Sequence, residues 1–108
     1  MKLLLFGLLI ITGTSSAQTS RTFTGAITDS MCASADHSRM RMGSTDGECT
    51  IACVDAHAAR YVLFDGKDVY ALSDQQTPEK FAGKRVTVTG KLKTDTKTID
   101  VEVIALAK

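Results

Sequence analysis

The chain has no excess charge, no run of apolar residues long enough to cross a bilayer, and no internal repeat. Of its 13 basic side chains one, Lys2, lies ahead of Gln18, and the rest of the chain carries 12 basic against 12 acidic groups. A neutral chain offers no electrostatic footing for nucleic acid or an anionic membrane surface. Arg39 and Arg41 are too few for a phosphate patch. The apolar stretch Leu3 to Ile11 falls short of the ~20 residues a spanning helix needs. C-x-x-C, C-x-x-C-H and G-x-S-x-G are all missing, so there is no dithiol redox pair, no c-type haem attachment and no nucleophile elbow. With 108 residues there is room for one domain at most.

What is present begins with a leader. Met1-Lys2 is a short positive start, Leu3 to Ile11 is the apolar region, and Ser15-Ser16-Ala17 supplies small residues at a cleavage site. Residues 1–17 therefore read as a signal peptide, with residues 18–108 exported as a single β-barrel domain. No cysteine follows the cleavage region, which argues against a lipid anchor. The expected location is secreted or periplasmic, with no membrane association after cleavage. A domain this small is marginal on its core alone, and secreted domains of this size often add a disulfide or a metal.

Alternation of apolar and polar residues marks five strands. Thr22 to Thr28 alternates around Phe23, Gly25 and Ile27, the glycine marking a place where the backbone can bend. Tyr61 to Phe64 and Val69 to Leu72 flank Asp65-Gly66, a hairpin signal. Thr77 to Gly83 reads as one helical turn, with Pro78 at its start and Gly83 at its end. Arg85 to Leu92 alternates, as does Thr98 to Val103 with Ile99, Val101 and Val103 on one side. The pattern slips at Ile104, where a bulge is expected. The class is mainly β with one helix: an OB-like small five-stranded barrel with a loop–helix insertion between strands 1 and 2. An SH3-like barrel or an open sheet packed on the helix is the alternative.

The insertion, residues 29–60, concentrates the chemistry. It holds all three cysteines, both histidines and Met31, Met40 and Met42. Asp29 to Gly47 has neither period and reads as a long loop, of a length that is usually functional or disordered. Thr45-x-x-Glu48 is a capping box, so a helix starts near Asp46 and runs to about Arg60. Cys49, Cys53 and His57 share one stripe of it, and Ile51, Val54 and Ala58 another.

Asp29-Ser30-Met31-Cys32, His37, Cys49-Thr50, Cys53-Val54, Tyr61-Val62, Asp65-Gly66-Lys67 and the strand Gly83-Lys84-Arg85-Val86-Thr87-Val88-Thr89-Gly90-Lys91-Leu92 together resemble a family of small secreted bacterial proteins of uncharacterised function. The resemblance spans essentially the whole exported chain. It implies an extracytoplasmic location and a small β scaffold, and it carries no mechanism.

Two readings of the insertion stand side by side. Cys32, His37, Cys49, Cys53 and His57 offer thiolate and imidazole ligands for zinc, and the nearby methionines add soft donors that favour copper as Cu(I). Alternatively Cys32 pairs with Cys49 or Cys53 in a disulfide, closing a loop of roughly 17–21 residues worth about 3 kcal/mol. The partner is a metal ion in the first case, and a small ligand or protein in the second. Catalysis by a Cys53–His57 thiolate–imidazolium pair ranks third.

Overall fold

A computed structural model describes residues 19–108 of the protein. The leader expected at residues 1–17 lies outside them. Among the described residues there are five strands and one α-helix: β1 Arg21–Asp29, α1 Asp46–His57, β2 Tyr61–Phe64, β3 Val69–Leu72, β4 Arg85–Lys93 and β5 Thr98–Leu106. A 3-10 turn, Thr77–Phe81, lies between β3 and β4 with Pro78 at its start.

The strands hydrogen-bond into a closed ring in the order β1-β2-β3-β5-β4. β1 serves two partners. Its first part, Arg21 to Ala26, pairs with β4, and its second, Ala26 to Asp29, pairs with β2. The change of partner requires a sharp bend, and Gly25 stands beside it. A Cβ on Gly25 would lie 2.3 Å from the carbonyl oxygen of Phe64, so only glycine admits this approach. β3 and β5 close the ring in parallel through Ala71–Thr98 and Leu72–Ile99.

Alternation along the strands fills the ring. Ile27, Leu63, Val86, Val88 and Ile99 are fully buried in one cluster with Phe23, Tyr61, Tyr70 and Leu72. Removing each such side chain from water contributes roughly 1.5–3 kcal/mol. Phe23 and Tyr70 meet with ring centroids 5.1 Å apart in a tilted arrangement.

The irregularity in the last strand lies two residues earlier than the slip at Ile104. Thr89 pairs with Val103 but Gly90 pairs with Val101, leaving Glu102 as the extra residue. A bulge reverses the inward set beyond it. Val103, inward by simple alternation, is consequently 56% exposed, and Ile104 takes the inward position instead.

Between β1 and α1, residues 30–45 form turns with no helix or strand. Their ends are stitched to the scaffold. Ser30 N–H donates to Arg60 O at 2.8 Å, and Arg60 N–H donates to Ser30 Oγ at 2.9 Å. The helix begins as its capping residues dictate: Glu48 N–H donates to Thr45 Oγ1 at 3.1 Å. Glu48 reaches back to Ser44 N–H at 2.9 Å, one residue ahead of the N-cap. The helix ends at His57, short of Arg60, because Ala58 turns left-handed at φ 55°.

Candidate metal centre

The site forms where the end of β1 meets the buried face of α1. Asp29, the last residue of β1, has no exposed surface. Its Oδ1 accepts from the backbone N–H groups of Met31 and Cys32, each at 3.0 Å. Thr28 Oγ1 donates to Cys32 O at 2.7 Å. An aspartate followed by a tight turn places Cys32 directly over the strand end, by the hydrogen bonding that makes Asp a turn residue.

From the other side, α1 turns Cys49, Thr50 and Cys53 inward. Of the two stripes legible on the helix, the thiol stripe is buried at Cys49 and Cys53 and exposed at His57, while Ile51 and Val54 are half-buried against the strand core. A carboxylate oxygen of Asp29, Cys32 Sγ and Cys53 Sγ consequently all lie within 4.8 Å of one another, and all three residues are buried. The second carboxylate oxygen, Asp29 Oδ2, has no hydrogen-bond partner. A buried carboxylate oxygen without a partner is costly, and a cation is the natural complement. Buried Asp29, Cys32 and Cys53 could therefore hold a metal.

In the metal-free site, electrostatics hold both thiols in the protonated form. Burial raises the pKa of Cys32, and the Asp29 charge raises it further. Cys53 is pushed up to about 11, first by burial and then by Asp29. Without a cation these groups stay thiols at neutral pH. A bound ion would supply the charge that makes them thiolates.

The other expected ligands lie apart from this group. Cys49 is fully buried, but its thiol donates to Met40 O at 3.1 Å and accepts from Met42 N–H at 3.4 Å. His37 is buried with Nδ1 unpartnered, and its ring nitrogens do not join the three ligand atoms. His57 stands exposed at the end of α1. The three cysteines are free, and no disulfide is formed. Asp29 is the residue that the reading of the sequence passed over. Its signal was its place three residues before Cys32, where an Asx turn brings carboxylate and thiol together.

Cys32 also touches the surface. A cleft of about 360 Å³ opens between Met31, Cys32, Arg39 and Met40. Ala35, in the same loop, adopts the left-handed region at φ 61°, a conformation costing roughly 1–2 kcal/mol for a residue with a Cβ. The strain is offset locally, since Ala35 N–H donates to Cys32 O at 2.8 Å.

Residues 58–107 match a family model described as a protein of unknown function (DUF5818). The match runs from the exit of α1 through β5, and Asp29, Cys32 and Cys53 all precede it. No curated protein and no solved structure matches the chain. From β2 to β5 the protein is thus similar to a family of uncharacterised function.

Proposed function

We propose that this protein is an exported module on an OB-like barrel that holds one transition-metal ion, zinc or copper, between Asp29, Cys32 and Cys53. The observation that carries the reading is the unpartnered Asp29 Oδ2 beside two buried thiols. The OB-like assignment draws on the ring order, the parallel β3–β5 closure and the helical turn between β3 and β4. Export draws on the leader-like residues 1–17, and N-terminal sequencing that finds Gln18 first would support it. No helix among the described residues is long and apolar enough to cross a membrane.

Charge favours zinc as the first occupant. One carboxylate and two thiolates sum to three negative charges, of which a divalent ion leaves one and a monovalent ion two. Carboxylate and thiolate are both ordinary zinc ligands. Three protein donors leave a fourth position open, the arrangement of sites that take up a water or an outside ligand.

One observation favours a second reading. Cys32 Sγ and Cys53 Sγ lie within 4.8 Å, so an oxidising compartment can join them with a small movement. That disulfide would consume both thiolate ligands and leave Cys49 as the free thiol. Intact mass after alkylation, beside elemental analysis of exported protein, separates the two. Three alkylatable thiols with one equivalent of metal support the metal centre. One thiol and no metal would leave the disulfide reading in its place.

A further inference from the structure

The metal-ligand chemistry around Cys53 extends beyond Asp29 and Cys32. Met42 Sδ lies 3.7 Å from Cys53 Sγ, with the thiol directed at the thioether. Two sulfurs bound to one ion at about 2.3 Å each stand roughly 3.8–4.0 Å apart in tetrahedral or trigonal geometry. Met42 is therefore at the separation of a second sulfur ligand on the same ion. Cys53 sits between two kinds of donor: the hard carboxylate of Asp29 and the soft thioether of Met42.

The position of Met42 is held, not incidental. Its backbone N–H donates to Cys49 Sγ. Arg41 beside it bonds Asp46 Oδ1 and Ser44 O, each at 3.1 Å, tying the segment to the start of α1. At Gly43 a Cβ would lie 2.6 Å from the Cβ of Glu48, so glycine lets the chain press onto the helix. Met42 itself is half-buried and packs with Cys49 and Cys53.

We propose that Met42 is a ligand for Cu(I), completing a Cys32–Cys53–Met42 sulfur set that gives the site a cuprous as well as a zinc-binding mode. The inference rests on the metal-binding reading of Cys32 and Cys53. Thioether and thiolate donors select Cu(I), whereas a thioether adds little for zinc. Zinc draws on Asp29 and Cu(I) on Met42, with the two cysteines common to both. The approach to the site has the same character: Met31 and Met40, 45% and 41% exposed, flank the cleft that ends on Cys32. Binding releases the two thiol protons to solvent. No electron moves, because the ion arrives as Cu(I).

The test is an anaerobic titration of the reduced protein with Cu(I) in competition with bicinchoninate, and a parallel Zn(II) titration with a chromophoric chelator. Met42→Leu keeps the volume of the side chain and removes only the sulfur. It should weaken Cu(I) binding at least about tenfold, as loss of a ligand requires, while Zn(II) affinity stays within about threefold. X-ray absorption of the copper-loaded protein should show three sulfurs in the wild type and two in the variant. Unchanged Cu(I) affinity in Met42→Leu, with Cu(I) binding lost in Cys32→Ser, would overturn the role of Met42 alone. Equal losses of Cu(I) and Zn(II) in Met42→Leu would make it a packing residue and overturn the proposal too. Retention of both metals by Cys32→Ser and Cys53→Ser would overturn the underlying metal site.

Discussion

Asp29→Asn isolates what the buried carboxylate does. The amide oxygen can keep the two bonds that Oδ1 receives from Met31 and Cys32, so the turn should survive. The substitution replaces the unpartnered Oδ2 with a neutral NH2. Leaving a buried polar atom unpaired costs roughly 1–3 kcal/mol, and more when the group is charged. The metal-free variant should therefore match the wild type within about 1 kcal/mol or exceed it. With metal present the order reverses. Free ion at a thousandfold over Kd stabilises the wild type by about 4.1 kcal/mol. In a domain of this size 1 kcal/mol is worth roughly 4–8 °C, so the melting temperature should rise on the order of 15–30 °C on loading. A hundredfold weaker variant would lose about 2.7 kcal/mol of that, on the order of 10–20 °C. Calorimetry or circular dichroism melts with and without Zn(II) read both arms. An equal metal-induced shift in the two proteins would refute the reasoning, as would a metal-free variant weakened by more than about 2 kcal/mol.

Three further outcomes test the scaffold. Val88 is fully buried and Val103 is 56% exposed, so Val88→Ala should cost about 1–3 kcal/mol in denaturant melts and Val103→Ala under about 0.5; equal losses would contradict the bulge at Glu102. Gly25→Ala drives a methyl to 2.3 Å from Phe64 O and should cost about 1–3 kcal/mol, measured the same way. Asp74 Oδ1 accepts from the N–H groups of Gln76 at 2.9 Å and Thr77 at 3.0 Å, and hydrogen bonding by Thr77 lowers its pKa. Because the folded value lies below the unfolded one, its stabilisation is complete above about pH 4 and fades as pH falls through the folded pKa. Asp74→Ala should thus cost about 1 kcal/mol at neutral pH, and pH-dependent melts should show that gap closing in acid.

The strands were legible because they are local patterns. Period-two alternation at Phe23, Ile27, Val86 and Val88 shows which side of each strand is apolar without reference to any partner. Thr45 and Glu48 announced the start of α1 for the same reason, since both bonds lie within one turn. Asp65-Gly66 likewise carries its own turn, with Asp65 Oδ1 accepting from Lys67 and Asp68 N–H and Gly66 at φ 102°. The helix end was misplaced by three residues because Ala58 is left-handed without being glycine. Nothing in its own chemistry marks that, and the bonds between Ser30 and Arg60 accompany it across the fold.

The candidate site was half legible. Cysteine and histidine announce ligands by residue type alone, and Cys32 and Cys53 do come together. Helical spacing placed Cys49 and His57 beside Cys53 on one stripe. Spacing says nothing about the depth of each position, and the stripe runs from the buried Cys49 to the exposed His57. Asp29 reads locally as a strand-ending turn residue. Only packing converts it into a buried carboxylate with an oxygen to spare.

By itself the sequence determined the element types, the inward side of most strands, the capped start of α1 and the segment where ligand-bearing residues gather. All of these follow from interactions between residues a few positions apart. Tertiary structure decided the order of strands around the ring, the face of α1 that is buried, and the meeting of Asp29, Cys32 and Cys53. Those depend on contacts between residues far apart in the chain. Cys32 and Cys53 are separated by a loop whose path no local pattern specifies. It is closed by Ser30 against Arg60, and by Met40 and Met42 against Cys49.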